Sequence, residues 1–261
     1  MIKKSGTIIG LILGLFSIFG AFFIEGGNFR ALFLLSPIVI VFGGTFAATI
    51  IGFGFDKFKN IWKLLRLSFI PPTYNLDNLT NLIVEMSLKA KHNGFLSLDS
   101  DLYKLKYKFP QKLLTYVIDG MDSQSIENLA LLEIKSIQER HATNISIFTK
   151  MGGYSPTMGI LGTVMALIVT LANAGSDPNI LIKNISTAFI ATLWGVFSAN
   201  LFWFPIADNL KKCHLEEKNM MLISLEGVLA LQKGEIPSVI RARLQSMIPQ
   251  TTQENALIAL S

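Results

Sequence analysis

With 261 residues, 51% of them hydrophobic and only 16% charged, the chain is too apolar for an ordinary soluble domain, in which about a quarter of the residues are charged. Its net charge of +5 would suit nucleic acid or an anionic surface if it were spread over a soluble face. The charges are instead segregated from four apolar stretches, which makes lipid the first solvent to consider.

Those stretches run from Ser5 to Ile24, Ala31 to Phe55, Met151 to Ser176 and Asn184 to Ala207, and none contains Asp, Glu, Lys, Arg or His. A hydrocarbon core of about 30 Å needs roughly 20 helical residues. A charge at its centre costs on the order of 3 kcal/mol even on the lenient insertion scale. All four stretches meet both conditions, so an all-α integral membrane protein is expected, with spans near 5–24, 31–55, 151–173 and 184–207.

Lys and Arg outside the spans set the orientation, because positively charged loops stay in the cytoplasm. Two precede the first span, thirteen lie between the second and third and six follow the fourth, against Arg30 and Lys183 alone in the short connectors. Both termini and the middle region are therefore expected in the cytoplasm. Lys3-Lys4 before an apolar run resembles a signal peptide, but the run is long and no A-x-A pattern follows, so a retained first helix is expected. The single cysteine, Cys213, can form no internal disulfide.

In chain order, residues 1–55 read as a transmembrane hairpin turning through Glu25-Gly26-Gly27-Asn28-Phe29-Arg30. Residues 56–150 read as a helical cytoplasmic domain. It opens with a basic interfacial helix near Lys57 to Arg66, with Phe58, Ile61, Trp62 and Leu65 at helical spacing, stopped by Pro71-Pro72. Two amphipathic helices follow, near Leu76 to His92 and Asp101 to Lys108. Asp122-Ser123 is the expected N-cap of a long helix that continues toward the third span. Gly152-Gly153 and Pro156 predict a bend there. Residues 151–207 form a second hairpin, whose outer turn contains Gly175, Ser176, Asp177 and Pro178. In 208–261, Lys211-Lys212 open a cytoplasmic helix, and Pro237 and Pro249 punctuate the tail.

The three histidines, His92, His141 and His214, and the lone cysteine fall in no metal-ligating or catalytic spacing, and no phosphate-binding glycine motif occurs. Neither catalysis nor a cofactor is expected. The spans also lack any carboxylate, the group that normally stops a proton or sodium ion inside a membrane. They offer hydroxyls and small residues instead: Thr163, Thr187, Thr192 and Gly43-Gly44-Thr45. Such residues ordinarily serve close helix packing. For Thr163 and Thr192, each mid-span beside a small residue, packing and ion contact both stand as readings.

Several segments in one order now resemble a known family: two hairpins around a cytoplasmic domain, the run Lys91 to Asp99 (KHNGFLSLD), the run Tyr154 to Val164 (YSPTMGILGTV), and Ala191-Thr192-Leu193-Trp194-Gly195. The chain is similar to MotA-type flagellar stator subunits. The resemblance extends over nearly the whole length, including Glu139-Arg140-His141 and Pro205.

It implies a homo-oligomer, five copies around two copies of a MotB-type single-span partner whose helix supplies the missing aspartate. It implies transported H+ or Na+, with rotation driven against the rotor protein FliG, in the bacterial inner membrane. Matched by position, Thr163 and Thr192 fall in the ion pathway, Pro156 and Pro205 couple ion binding to movement, and Lys91, His92 and Asp99 face the rotor. Relatives usually carry two adjacent strong bases and a glutamate where this chain has Lys91, His92 and the shorter Asp99. Threonine at position 163 resembles sodium-using relatives. Static kinks for the prolines, a solvated helix face for Lys91 and an N-cap for Asp99 remain open beside these. So do a TolQ- or ExbB-type energiser and a self-contained ion transporter.

Overall fold

The structure, a computed structural model, describes residues 2–173 and 178–249. The Gly175-Ser176-Asp177 part of the expected outer turn and the tail beyond Pro249 lie outside the described residues. Among those described there is no strand. Four helices are long and apolar enough to cross a membrane.

The chain divides into two compact units, one made of residues up to Pro72 with His141–Cys213, the other of Thr73–Arg140 with the segment from His214 on. In the first unit, α1 (Ile2–Ile24) is followed by a turn at Gly26, whose φ of 81° is open to glycine. The expected connector is shorter than read. Phe29–Leu32 already forms a helical turn, capped by Asn28, whose Oδ1 accepts from the Arg30 amide at 3.0 Å. Span two, α2 (Leu35–Phe53), contains a π-turn over Val39–Gly43. It stops at Gly54, again with positive φ.

The basic stretch that follows is broken at Asn60 into Phe55–Lys59 and α3 (Ile61–Phe69). Its packed face is Ile61, Leu64 and Ser68. Trp62, expected on that face, is 80% exposed, which suits an amphipathic ring at a membrane–water boundary. Ile61 and Leu64 join Ile147, Phe148, Met151, Trp203, Ile206 and Leu210 in the unit's buried cluster.

In the second unit, α4 (Leu76–Asn93) starts at Asn75, whose side chain accepts from the Asn78 amide at 2.9 Å. It stops at Gly94, where φ is 77°. The expected helix over Asp101 to Lys108 is not there. Phe95–Lys104 forms 3₁₀ turns, and the next α-helix, α5, covers Lys108–Ile118. Pro110 sits in the first turn of α5, where its missing amide hydrogen is not needed. Leu79, Ile83, Leu98, Leu113, Leu114, Ile126 and Val228 are wholly buried together with Ile240 and Leu244.

Two long helices contribute to both units. Asp122 caps α6 (Ser123–Ala172), accepting from the Ser125 amide at 3.0 Å. The Ser125 hydroxyl first, and then that amide, hold its carboxyl below the usual carboxylate range. α6 runs unbroken for 50 residues through Gly152, Gly153 and Pro156. A length of about 75 Å far exceeds one bilayer. α7 (Pro178–Gln232) is equally continuous over 55 residues. No new helix opens at Lys211-Lys212, since nothing there interrupts the backbone ladder. The helix ends only at Gly234, with φ of 70°. Pro237 then takes the first position of α8 (Pro237–Ser246).

Candidate functional site

The apolar parts of α6 and α7 cross where both helices carry glycine. A Cβ on Gly159 would lie 2.8 Å from the Ala191 carbonyl oxygen, and one on Gly195 would lie 2.8 Å from the Ser155 carbonyl oxygen. Glycine is therefore obligatory at both positions for backbones this close. Fully buried beside them, Ser155 and Ser198 join their hydroxyls at 2.5 Å. Ser198 Oγ also bonds to the Trp194 carbonyl at 2.7 Å. Each serine has one proton, so Ser155 donates to Ser198 and Ser198 donates to the carbonyl.

One turn along the same crossing, Thr163 and Thr192 are brought together, their Oγ1 atoms 2.6 Å apart and half-buried. Thr163 Oγ1 also lies 3.1 Å from the Gly159 carbonyl oxygen and 3.0 Å from that of Ala188. With one proton per hydroxyl, Thr163 donates to a carbonyl and Thr192 donates to Thr163, which leaves lone pairs of Thr192 uncommitted. Such a cluster is neutral. It can replace a water on a passing cation but cannot balance its charge or store a proton.

The other hydroxyls singled out by sequence are elsewhere. Thr45 is buried in α2 and donates to the Val41 carbonyl at 2.6 Å, as a packing residue of a membrane helix does. Thr187 is half-buried and donates to the Lys183 carbonyl. Gly44 packs on Met158, where a Cβ would come within 2.6 Å of the sulfur. Trp194 has a contact that sequence reasoning missed. Its indole Nε1 donates to the Leu32 carbonyl at 2.8 Å, one of the groups left over where the helical turn before α2 ends. Its ring stands edge-on to Phe33, Phe42 and Phe197.

The two prolines differ in setting. Pro156 lies at the crossing, its Cα 3.2 Å from where a Gly195 Cβ would be. Pro205 directly follows a π-turn over Ala199–Trp203, in which the Phe204 amide bonds five residues back to the Ala199 carbonyl. Proline lacks the amide for Leu201 and crowds that carbonyl, and the widened turn relieves both.

In the second unit, Lys91, His92 and Asp99 are all exposed around Gly94. None of their side chains makes a hydrogen bond or ion pair among the described residues. Beside them is a structural network that sequence reasoning missed. Asp101 bonds Lys89 at 2.6 Å and Lys104 at 3.1 Å, and Lys104 reaches Glu85 at 3.6 Å. Hydrogen bonds from Lys89 and then Lys104 hold the Asp101 carboxyl below the usual carboxylate range. The only available signal was the spacing of these charges in sequence, which cannot reveal that a 3₁₀ segment folds back on α4.

Comparison with known proteins places this arrangement. The MotA/TolQ/ExbB proton channel family profile matches residues 102–222, and that of the Motility protein A N-terminal region matches residues 8–93. Motility protein A of Bacillus subtilis (strain 168) is 30% identical over 244 residues, covering 93% of this chain and 90% of that protein. The solved flagellar MotAB stator complex from Bacillus subtilis contains a chain of 30% identity that superposes with a TM-score of 0.87, covering 95% of this chain and 97% of that one. The C. jejuni MotAB structure shares the fold at a TM-score of 0.88 and 24% identity, covering 94% and 96%. With that identity sustained over nine-tenths of both chains, this chain belongs to the Motility protein A members of the MotA/TolQ/ExbB proton channel family.

Proposed function

We propose that the chain is the ion-channel subunit of a flagellar stator, which with a MotB-type partner converts ion flow into torque on the rotor. The observation that carries this reading is the Thr163–Thr192 hydroxyl pair set in spans that hold no ionisable group. Oxygen ligands are present and a charge to stop the ion is not, so a second polypeptide must contribute the carboxylate. A single membrane helix bearing aspartate meets that need.

Five copies of the chain surround two such helices in the bacterial inner membrane. Residues 56–150 and 208–261, with both termini, lie in the cytoplasm, where most of the Lys and Arg are found. Each ion moving down the membrane potential releases about 2.3 kcal/mol per 100 mV. Pro156 and Pro205 convert the ion's arrival and departure into helix movement, and Lys91, His92 and Asp99 meet FliG. Charges at that contact set encounter and register more than affinity. The hydroxyl of Thr163 favours Na+ over H+ as the transported ion, because a dehydrating cation gains from an extra oxygen ligand and a proton does not.

Complementation tests the reading. A strain lacking its own stator subunits should swim when given this chain with its genomic neighbour of one membrane span. It should stop when that neighbour's membrane Asp becomes Asn. Swimming that survives the Asp→Asn change contradicts the proposal.

A further inference from the structure

At the π-turn in α7, Asn200 has two oxygen atoms that no donor satisfies among the described residues. In an α-helix its backbone carbonyl would accept from the amide of residue 204, and in a π-helix from that of residue 205. The Phe204 amide is already committed to the Ala199 carbonyl. Residue 205 is proline, which has no amide hydrogen. Neither register therefore supplies a donor.

The side chain adds a second oxygen. Asn200 Nδ2 donates to the Val196 carbonyl at 2.9 Å. A carbonyl can only accept, so the nitrogen must face it and the amide oxygen must face away. Asn200 is exposed on the surface of this chain, within the charge-free stretch 184–207. An unsatisfied amide placed against hydrocarbon is strongly disfavoured. Freed backbone at membrane depth is tolerated only where protein buries it or where it borders a water-filled path.

The position of Asn200 decides between these. Thr192, Val196 and Asn200 follow one another at intervals of four residues, so they lie along one stripe of α7. Asn200 is about 12 Å along the axis from Thr192, on the side of the charged C-terminal part of the helix. The half-buried hydroxyl pair and Asn200 thus lie on adjoining sectors of one side of α7. Two carbonyl-type oxygens with no donor beside them suit a cation.

We propose that Asn200 forms a second cation station on the ion path, made of its backbone carbonyl and its side-chain amide oxygen. It receives the monovalent cation, or hydronium, that leaves the Thr163–Thr192 pair. The proposal rests on the reading of that pair as part of the path.

The test uses the chain co-expressed with its partner. Swimming speed is measured against external Na+ at fixed pH and against pH at fixed Na+, and ion flux is measured in liposomes holding the complex. Asn200→Leu, which removes the side-chain oxygen, should lower flux by about tenfold at unchanged complex abundance. Asn200→Asp, which keeps the oxygen and adds a charge, should retain flux and lower the half-saturating cation concentration by roughly threefold or more. Should the leucine variant fail to assemble, Asn200→Ser and Asn200→Ala replace it, and only the serine should keep flux. Wild-type flux and half-saturation in both the Leu and Asp variants, or equal loss in Ser and Ala, overturns the proposal. Thr163→Ala is run in parallel. If it has no effect while the Asn200 variants respond, the pair is removed from the path and the station stands; the opposite pattern removes the station alone.

Discussion

Gly159 and Gly195 meet so closely that neither could carry a side chain without pushing into backbone of the other helix. The same crossing fixes the spacing of the Thr163 and Thr192 hydroxyls. Gly195→Ala should therefore separate the helices, destabilise the protein by about 1–3 kcal/mol and weaken motility. Gly153→Ala is the matched control, since a Cβ there meets nothing within 4 Å. Thermal unfolding in detergent, with both variants alongside wild type, checks the pair. An equal midpoint for all three refutes the crossing as a constraint.

Thr163→Val and Thr163→Ser separate packing from ion contact. Valine keeps the shape and loses the hydroxyl, while serine keeps the hydroxyl and loses a methyl group. If the oxygen meets the ion, the valine variant should need several-fold more external Na+ for half-maximal speed, and the serine variant should stay close to wild type. Speed-versus-sodium curves provide the measurement. A valine curve matching wild type places the threonine in packing alone.

Lys91 and Asp99 are exposed and make no ion pair among the described residues, so replacing both by Ala should not disturb the fold. Swimming speed should drop by more than half, because the contact that orients the rotor is lost. Membrane abundance of the protein should be unchanged. Neighbouring Lys89 is different in kind. It bonds Asp101 at 2.6 Å, so Lys89→Ala should loosen the Phe95–Lys104 segment as well as impair motility.

Acid should act on that same segment. The Asp101 carboxyl is held below its ordinary value of 3.8, first by Lys89 and then by Lys104. A lowered folded-state value means that the contribution to stability is complete above the unfolded value. It is lost as pH falls below about 4 through the folded one. Hydrogen exchange over Phe95–Lys104 in the full-length protein should therefore be protected at pH 6 and lose relative protection near pH 3, after correction for intrinsic exchange. Asp101→Asn should remove most of this difference. A wild-type segment equally protected at both values contradicts the assignment.

Composition made the membrane class legible because a lipid-facing charge is costly anywhere along some twenty successive residues, and four stretches of this chain hold none. The cap at Asp122 was legible for a similarly local reason. The 3₁₀ segment over Phe95–Lys104 was not, because Leu98 and Leu105 are placed by a core assembled from distant parts of the chain. At the candidate site, sequence named Thr163 and Thr192 but could not show that their oxygens touch. Ser155–Ser198 and the Trp194–Leu32 bond were invisible because their partners lie 43 and 162 residues apart.

The most direct test of the central claim is ion flux into liposomes holding the purified chain alone, compared with liposomes holding it together with its MotB-type partner. Spans that contain oxygen ligands but no carboxylate should pass no current alone and a gradient-driven current when the partner's Asp is present. Current through the chain alone, or none with the partner and its Asp in place, would contradict a two-polypeptide ion path.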